Sequence, residues 1–330
     1  MGTQTRRADG FSFDGLKAYA MRAGANAGAL DDPEALRQLL EQRIAYWLDG
    51  EADLLTAAMR AGALSAGKRV RPLLLMLVAR DLGCTSPALV DVACAVEMVH
   101  AASLMLDDMP CMDNAMLRRG RPTIHVQFGE DVAILAAIAL LSRAFGILAS
   151  NQDIAPGVRA RLVTRLSDTI GAQGLVKGQF LDLRGGLRSP DDIATTNELK
   201  TGVLLGVSVD MAAIIAQADE ATTASLRAFA FAAGQAFQIR DDLQDGPGND
   251  SAITGKDVSK DIGKATLIAT LGAEQARRRL AGHLDEAERC LADALGERQG
   301  TRRLVRSLFG GRDFGAPAAT PVAAPAFLAN

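Results

Sequence analysis

The sequence predicts an all-α fold, a bundle of helices without a sheet. Three observations predict it. Apolar residues recur at helical spacing along almost the whole chain. No alternating apolar run bounded by turn signals suggests a strand. Apolar residues make up 48% of the 330 residues and aromatics only 4%, so the core is aliphatic, built from Ala, Leu, Val, Ile and Met.

The elements follow in order. Asp32 can cap a helix whose first turn holds Pro33, and Leu36, Leu39, Leu40 and Trp47 then share a face. Further helices are predicted over about 51–63, 69–82, 87–109, 128–150, 156–171, 196–217, 222–245, 273–295 and 300–308. In the 87–109 segment Val92, Ala95, Val96, Val99 and Ala102 fall along one side. Loops are expected at Arg184 to Asp192 and at Gly246 to Gly263, the second long, polar and functional or mobile. No linker divides the chain, so residues 1–310 are expected to form one domain, with the first 30 or so poorly defined. The Ala/Pro-rich tail, 311–330, is expected to be disordered.

Composition excludes several classes. Lys plus Arg is 36 against 39 Asp plus Glu, a net charge of −3 with no basic excess for nucleic acid. Cys84, Cys94, Cys111 and Cys290 form no CxxC pair and read as reduced thiols of a cytoplasmic protein. His100, His125 and His283 show no zinc spacing, and no P-loop pattern occurs. The N-terminal MGTQTRRADGFSFDG has no apolar signal core. The longest apolar run, Val132 to Leu141, is about half of what a membrane-spanning helix needs.

Chemistry concentrates in two aspartate clusters, each ending an apolar helical run. One is LMLDDMPCMDNAMLRRGRPTIH, with Asp107, Asp108 and Asp113. The other is FQIRDDLQD, with Asp241, Asp242 and Asp245. Asp241 and Asp245 lie only about 40° apart on a helix. Like charges so placed repel, and a divalent cation offsets that. Asp107 and Asp113 would lie about 240° apart on a continuous helix. Pro110 ends or bends that helix after Asp108, so the chain can return Asp113 toward Asp107. Alone, either cluster could be a solvated helix end, but both sit at C-terminal ends where the helix dipole opposes them. Basic groups accompany them: Lys68, Arg69 and Arg71, then Arg118 and Arg119, then Lys200, then Lys256, Lys260 and Lys264. Acidic metal ligands with separate basic clusters imply a polyphosphate substrate.

These residues resemble the trans-isoprenyl diphosphate synthases, and among them the bacterial and plastid geranylgeranyl diphosphate synthases of carotenoid pathways. The resemblance runs from about 35 to 300. It rests on GKRVRP (67–72), SLMLDDMPCMDNAMLRRGRPT (103–123), VKGQFLDL (176–183), KTG (200–202), GQAFQIRDDLQD (234–245) and GKDVSKDIGKAT (255–266). It implies long antiparallel helices around a central cavity, a cytoplasmic homodimer and three Mg²⁺ ions per active site. Asp107, Asp113 and Asp241 match the most direct metal ligands, with Asp108, Asp242 and Asp245 in support. Arg118, Lys200, Thr201, Gln238, Lys256 and Lys264 match the groups around an allylic diphosphate. Lys68, Arg71, His100 and Arg119 match the isopentenyl diphosphate site. On its own His100 reads as a core histidine with its hydrogen bonds satisfied.

The implied reaction ionises an allylic diphosphate and adds isopentenyl diphosphate to the cation, with released pyrophosphate as proton acceptor. Cations aimed at the leaving group act where charge develops. Ala102 and Ser103 lie about 6–7.5 Å along the helix from Asp107 and are small, which lets a longer product pass. That implies the twenty-carbon product rather than the fifteen-carbon product of a farnesyl diphosphate synthase. A terpene cyclase would lack the second Asp cluster and the Lys68/Arg71 site. A non-catalytic regulatory subunit would be expected to have lost one cluster. The usual doubled glycine before Lys68 is Ala66-Gly67 here.

Overall fold

The structure, a computed structural model, describes residues 32–184, 192, 195–196, 198–244 and 272–310. Helix α1 (Pro33–Trp47) starts as expected, with the Asp32 carboxylate accepting from the N–H groups of Glu34 and Ala35. Then follow α2 (Leu54–Ala63), capped by Asp53 on the Thr56 N–H, α3 (Val70–Asp81) and α4 (Leu89–Asp107). Helices α3 and α4 are apolar on nearly every side, as suits the middle of a bundle. Helix α4 packs against α1, α2, α3 and against α6 (Glu130–Ser150). Helix α9 (Val203–Ala216) is as apolar and packs on α3, on α7 (Pro156–Ile170) and on α10 (Glu220–Gln244). Helix α11 (Ala273–Leu295) lies along α10, and α12 (Gly300–Phe309) returns to α3. Among the described residues all the buried apolar side chains but Ile239 and Ala276 form one cluster running from Leu36 to Val305.

Four features differ from expectation. The helix expected over 128–150 begins at Glu130, because Gly129 at φ 95° separates α6 from a short helix, α5 (Ile124–Phe128), that the sequence did not predict. The segment 196–217 holds a π-helical turn, Glu198–Gly202, before α9 begins. Helix α8 (Leu175–Arg184) lies where the sequence predicted none. Its polar Gln179 and Asp182 break the apolar period, and those are the residues it turns toward the site described below. A two-residue hairpin, β1 (Leu117–Arg118) with β2 (Arg121–Pro122), is too short for alternation to reveal. Arg119 and Gly120 form its turn with φ 54° and 75°, the sign that two-residue hairpin turns favour.

Two helices, α4 and α6, are long and apolar enough to cross a membrane by length and composition. The most apolar window of α4 is 78% buried inside the bundle, that of α6 only 39%. The exposed part of α6 carries Ile134, Leu135 and Ile138. The expectations for residues 1–31, for the segment 185–191, for the loop at 246–263 and for the tail 311–330 lie outside the described residues.

Candidate active site

The first aspartate cluster folds back as the proline argument requires. Helix α4 stops at Asp107, and the Met109 N–H reaches only the Leu106 carbonyl, a tighter turn. The chain then reverses through Pro110, and the Asp113 N–H donates to the Asp107 carbonyl at 2.9 Å. Both carboxylates therefore reach one cation. The Lys200 Nζ lies 3.8 Å from Asp107 Oδ2 and 4.0 Å from Asp113 Oδ2. It donates at 2.7 Å to Asp182 Oδ2 on α8. Burial pushes the Asp107 carboxyl up to about 6, against the pull of Lys200 and with the repulsion of Asp113. Asp108, about 100° round the helix, points elsewhere. It accepts a two-pronged pair from Arg118, Nη2 at 2.6 Å and Nε at 2.9 Å, inside the protein.

Lys200 is placed by a close approach of two elements. It sits on the π-helical turn, and a Cβ on Gly178 of α8 would fall 2.6 Å from the Leu199 carbonyl carbon and the Lys200 nitrogen. Only glycine allows the turn to lie on α8 there. Asp182 is one turn further along the same face of α8. Sequence reasoning did not single out Asp182 or Gln179, although both lie in the quoted VKGQFLDL stretch. Gln179 Oε1 is buried with no hydrogen-bond partner. Thr201 follows Lys200 in the turn.

The second cluster closes α10. Asp242 accepts from Gln238 Nε2 at 2.9 Å, and Asp241 Oδ1 accepts from Arg240 Nη2 at 3.2 Å. Asp245, Lys256 and Lys264 lie outside the described residues. The field of Asp241 reaches Arg71, where it partly counters the burial that lowers that guanidinium.

Arg71 and His100 form the third group. Arg71 Nη1 lies 3.2 Å from His100 Nε2 and donates to it, which puts the imidazole proton on Nδ1. Arg71 Nε and His100 Nδ1 are both buried without a hydrogen-bond partner. Burial first, then the neighbouring Arg71 and Arg119, holds His100 well below its ordinary value, so the ring is neutral. Two buried donors without acceptors suit an anion rich in oxygen. Arg119 reaches across to the Ala66 carbonyl, and its guanidinium lies directly over Gly67, where any Cβ would collide with it. The second glycine of the usual pair is thus the one this arrangement needs. Lys68 is exposed. Ala102 is fully buried, whereas Ser103 keeps exposed surface on the same face as Asp107 and bonds the His100 carbonyl at 2.8 Å.

Among the described residues, no three of the metal-binding side-chain types lie close enough to hold an ion unaided. That suits Mg²⁺, which takes one or two carboxylates and completes its shell with water and phosphate oxygens. Asp107, Asp113 and Asp182 gather around Lys200, an oxygen-rich carboxylate set of the kind Mg²⁺ takes.

Residues 52–300 match the family model for polyprenyl synthetase. The chain is 47% identical to geranylgeranyl diphosphate synthase of Pseudescherichia vulneris over 298 residues, 88% of this chain and 96% of that one. It is 49% identical to geranylgeranyl diphosphate synthase of Pantoea ananas over 285 residues, 84% and 93% of the two chains. Its fold superimposes with a TM-score of 0.74 on a geranyltransferase of Helicobacter pylori complexed with magnesium and isoprenyl diphosphate, at 26% identity, covering 86% of this chain and 97% of that one. The chain belongs to the polyprenyl synthetase family and is a prenyl-transferring enzyme of isoprenoid biosynthesis.

Proposed function

We propose that the enzyme makes geranylgeranyl diphosphate, condensing isopentenyl diphosphate with dimethylallyl, geranyl and farnesyl diphosphates and releasing diphosphate. One observation carries the reading: α4 bears two different phosphate-seeking groups on one face. Asp107, with Asp113 and Lys200, is at its end, and His100, with Arg71, is seven residues earlier, about 10 Å along the helix. The acidic end suits a metal-bound diphosphate and the unpartnered donors suit a second diphosphate without metal.

In this reading Asp107, Asp113 and Asp241 hold Mg²⁺, three ions per site, with Asp108, Asp242 and Asp245 in support. Arg118, Lys200, Thr201, Gln238, Lys256 and Lys264 surround the allylic diphosphate. Lys68, Arg71, His100 and Arg119 hold isopentenyl diphosphate. When bound, Mg²⁺ supplies Lewis-acid stabilisation of the leaving diphosphate. Lys200 adds a fixed positive charge where that leaving group gains negative charge. His100 donates its Nδ1–H to the second diphosphate, and Arg71 donates its Nε–H. The aliphatic walls keep water from the carbocation.

Ser103, on the Asp107 face and still partly exposed, is the better placed of the two small residues to meet the growing tail. Ser103→Phe is expected to stop elongation at fifteen carbons, read by chromatography of the dephosphorylated products. The same analysis on Ala102→Tyr checks the fully buried neighbour. We also read the enzyme as a cytoplasmic homodimer. The support is the stripe of Ile134, Leu135 and Ile138 on α6, 40%, 55% and 55% exposed, which a second copy would cover. The test of the function is turnover with isopentenyl diphosphate, Mg²⁺ and each allylic starter. A twenty-carbon diphosphate is the expected product. A fifteen-carbon end product would discard the length reading, and absence of Mg²⁺-dependent elongation would discard the whole.

A further inference from the structure

Arg240, the residue before Asp241, is held far more firmly than a surface arginine. Its guanidinium carbon lies 4.4 Å from the centroid of the Phe237 ring and 5.3 Å from that of Phe309. Its Nη1 donates to the Leu308 carbonyl, and its Nη2 donates to Asp241 Oδ1 at 3.2 Å. The side chain is 13% exposed, against 36% for Asp241. Phe237 lies one turn back on α10, but Leu308 and Phe309 are the last residues of α12. A cation is favoured at that helix end, where the final carbonyls lack intrahelical partners. Cation–π contact on two rings adds to the hold. An exposed ion pair would normally be loose, since both partners lose rotamer freedom in forming it. Here most of that freedom on the arginine side is already lost to the aromatic clamp.

We propose that Arg240 is a positioning residue: clamped by Phe237 and Phe309, it fixes the Asp241 carboxylate for the metal–diphosphate complex. The inference rests on the reading of Asp241 as a metal ligand. It makes the end of α12 part of the metal site at one remove, although α12 starts where the match to the family model, 52–300, stops. Partners that orient a ligating carboxylate typically change metal affinity by about 10- to 100-fold when removed.

The experiment measures Mn²⁺ binding to the full chain by electron paramagnetic resonance, with inorganic pyrophosphate present. Four variants are compared with the parent: Phe309→Leu, Arg240→Gln, Arg240→Lys and Asp241→Ala. Phe309→Leu keeps an apolar side chain against the bundle and loses only the ring, so it tests the clamp without removing the Arg240 bond to the Leu308 carbonyl of α12, which Arg240→Gln also loses. Expected are Mn²⁺ affinities weaker by about 10-fold in Phe309→Leu and Arg240→Gln, with unchanged circular dichroism, and a smaller loss in Arg240→Lys. Affinity equal to the parent or tighter in the folded Phe309→Leu and Arg240→Gln proteins, with Asp241→Ala weakened, overturns this inference alone. Undiminished affinity in Asp241→Ala overturns the metal reading of Asp241 and this inference with it.

Discussion

Arg69 and Arg71 stand two residues apart at the head of α3 and meet opposite surroundings. Arg69 is 4% exposed and its charge is met within the chain: Glu97 at 2.5 Å, Glu41 at 3.3 Å and the Ser65 carbonyl at 2.7 Å. Arg71 is half-buried with its Nε shut in, but its nearest hydrogen-bond contact is an imidazole, and that Nε meets no acceptor. The carboxylates show the same division. Asp91 accepts from Arg43 Nε and Nη2, Trp47 Nε1 and Asn151 Nδ2, all within 3.0 Å, whereas Asp107 has Lys200 at 3.8 Å and a raised carboxyl. A charge whose partners all come from the chain holds the fold together. A charge buried without them carries a desolvation cost that only a ligand offsets.

The division can be broken deliberately. Asp107→Ala is expected to lower turnover by at least about 10³-fold, through loss of charge stabilisation at the leaving group. Its melting temperature should not fall, because burial already disfavours this carboxylate in the fold. Paired rate and melting measurements check both, and a near-normal rate would remove Asp107 from the metal site. Arg69→Met should do the reverse. It strands Glu97 inside the protein and should cost about 3–5 kcal/mol of stability, read by urea unfolding, while the folded fraction keeps its affinity for isopentenyl diphosphate. Arg71→Met should leave stability equal or higher and weaken isopentenyl diphosphate by about 10²-fold in KM, with the allylic KM little changed. Equal behaviour of the two arginine variants would erase the distinction between them.

Legibility in the sequence followed the same line. The return of Asp113 to Asp107 was readable because a proline acts locally, and the bonds after Met109 bear it out. The helices with apolar stripes were readable to within a few residues. Helix α8 was not, because its inward face carries Gln179 and Asp182 in place of an apolar stripe. Asp182 meets Lys200 across 18 residues, a contact set by the Gly178 approach and invisible to spacing. By spacing alone the motif GKRVRP offers Arg69 and Arg71 as equals; the family resemblance picks out Arg71, and Glu97 and Glu41, each 28 residues from Arg69, occupy the other.

The smallest effect isolates one unpartnered donor of the pair, His100. Its value in the fold is held well below the 6.5 of a free histidine, by burial first and by Arg71 and Arg119 next. In the unfolded chain the ring takes up a proton as pH falls through about 6.5, and in the ligand-free fold it does not. The unfolded state therefore binds more protons there, and stability falls as pH drops below about 6.5. One such group contributes at most about 1.4 kcal/mol per pH unit. His100→Gln keeps a hydrogen-bonding side chain and removes the titration. Unfolding free energies of the ligand-free proteins at pH 7.5 and 5.5 should therefore decline less in the variant than in the parent. A saturating diphosphate should narrow that difference, since an anion beside Nδ1 favours the protonated ring. Parallel declines without ligand would mean that His100 titrates normally in the fold, and that its Nδ1 is already satisfied.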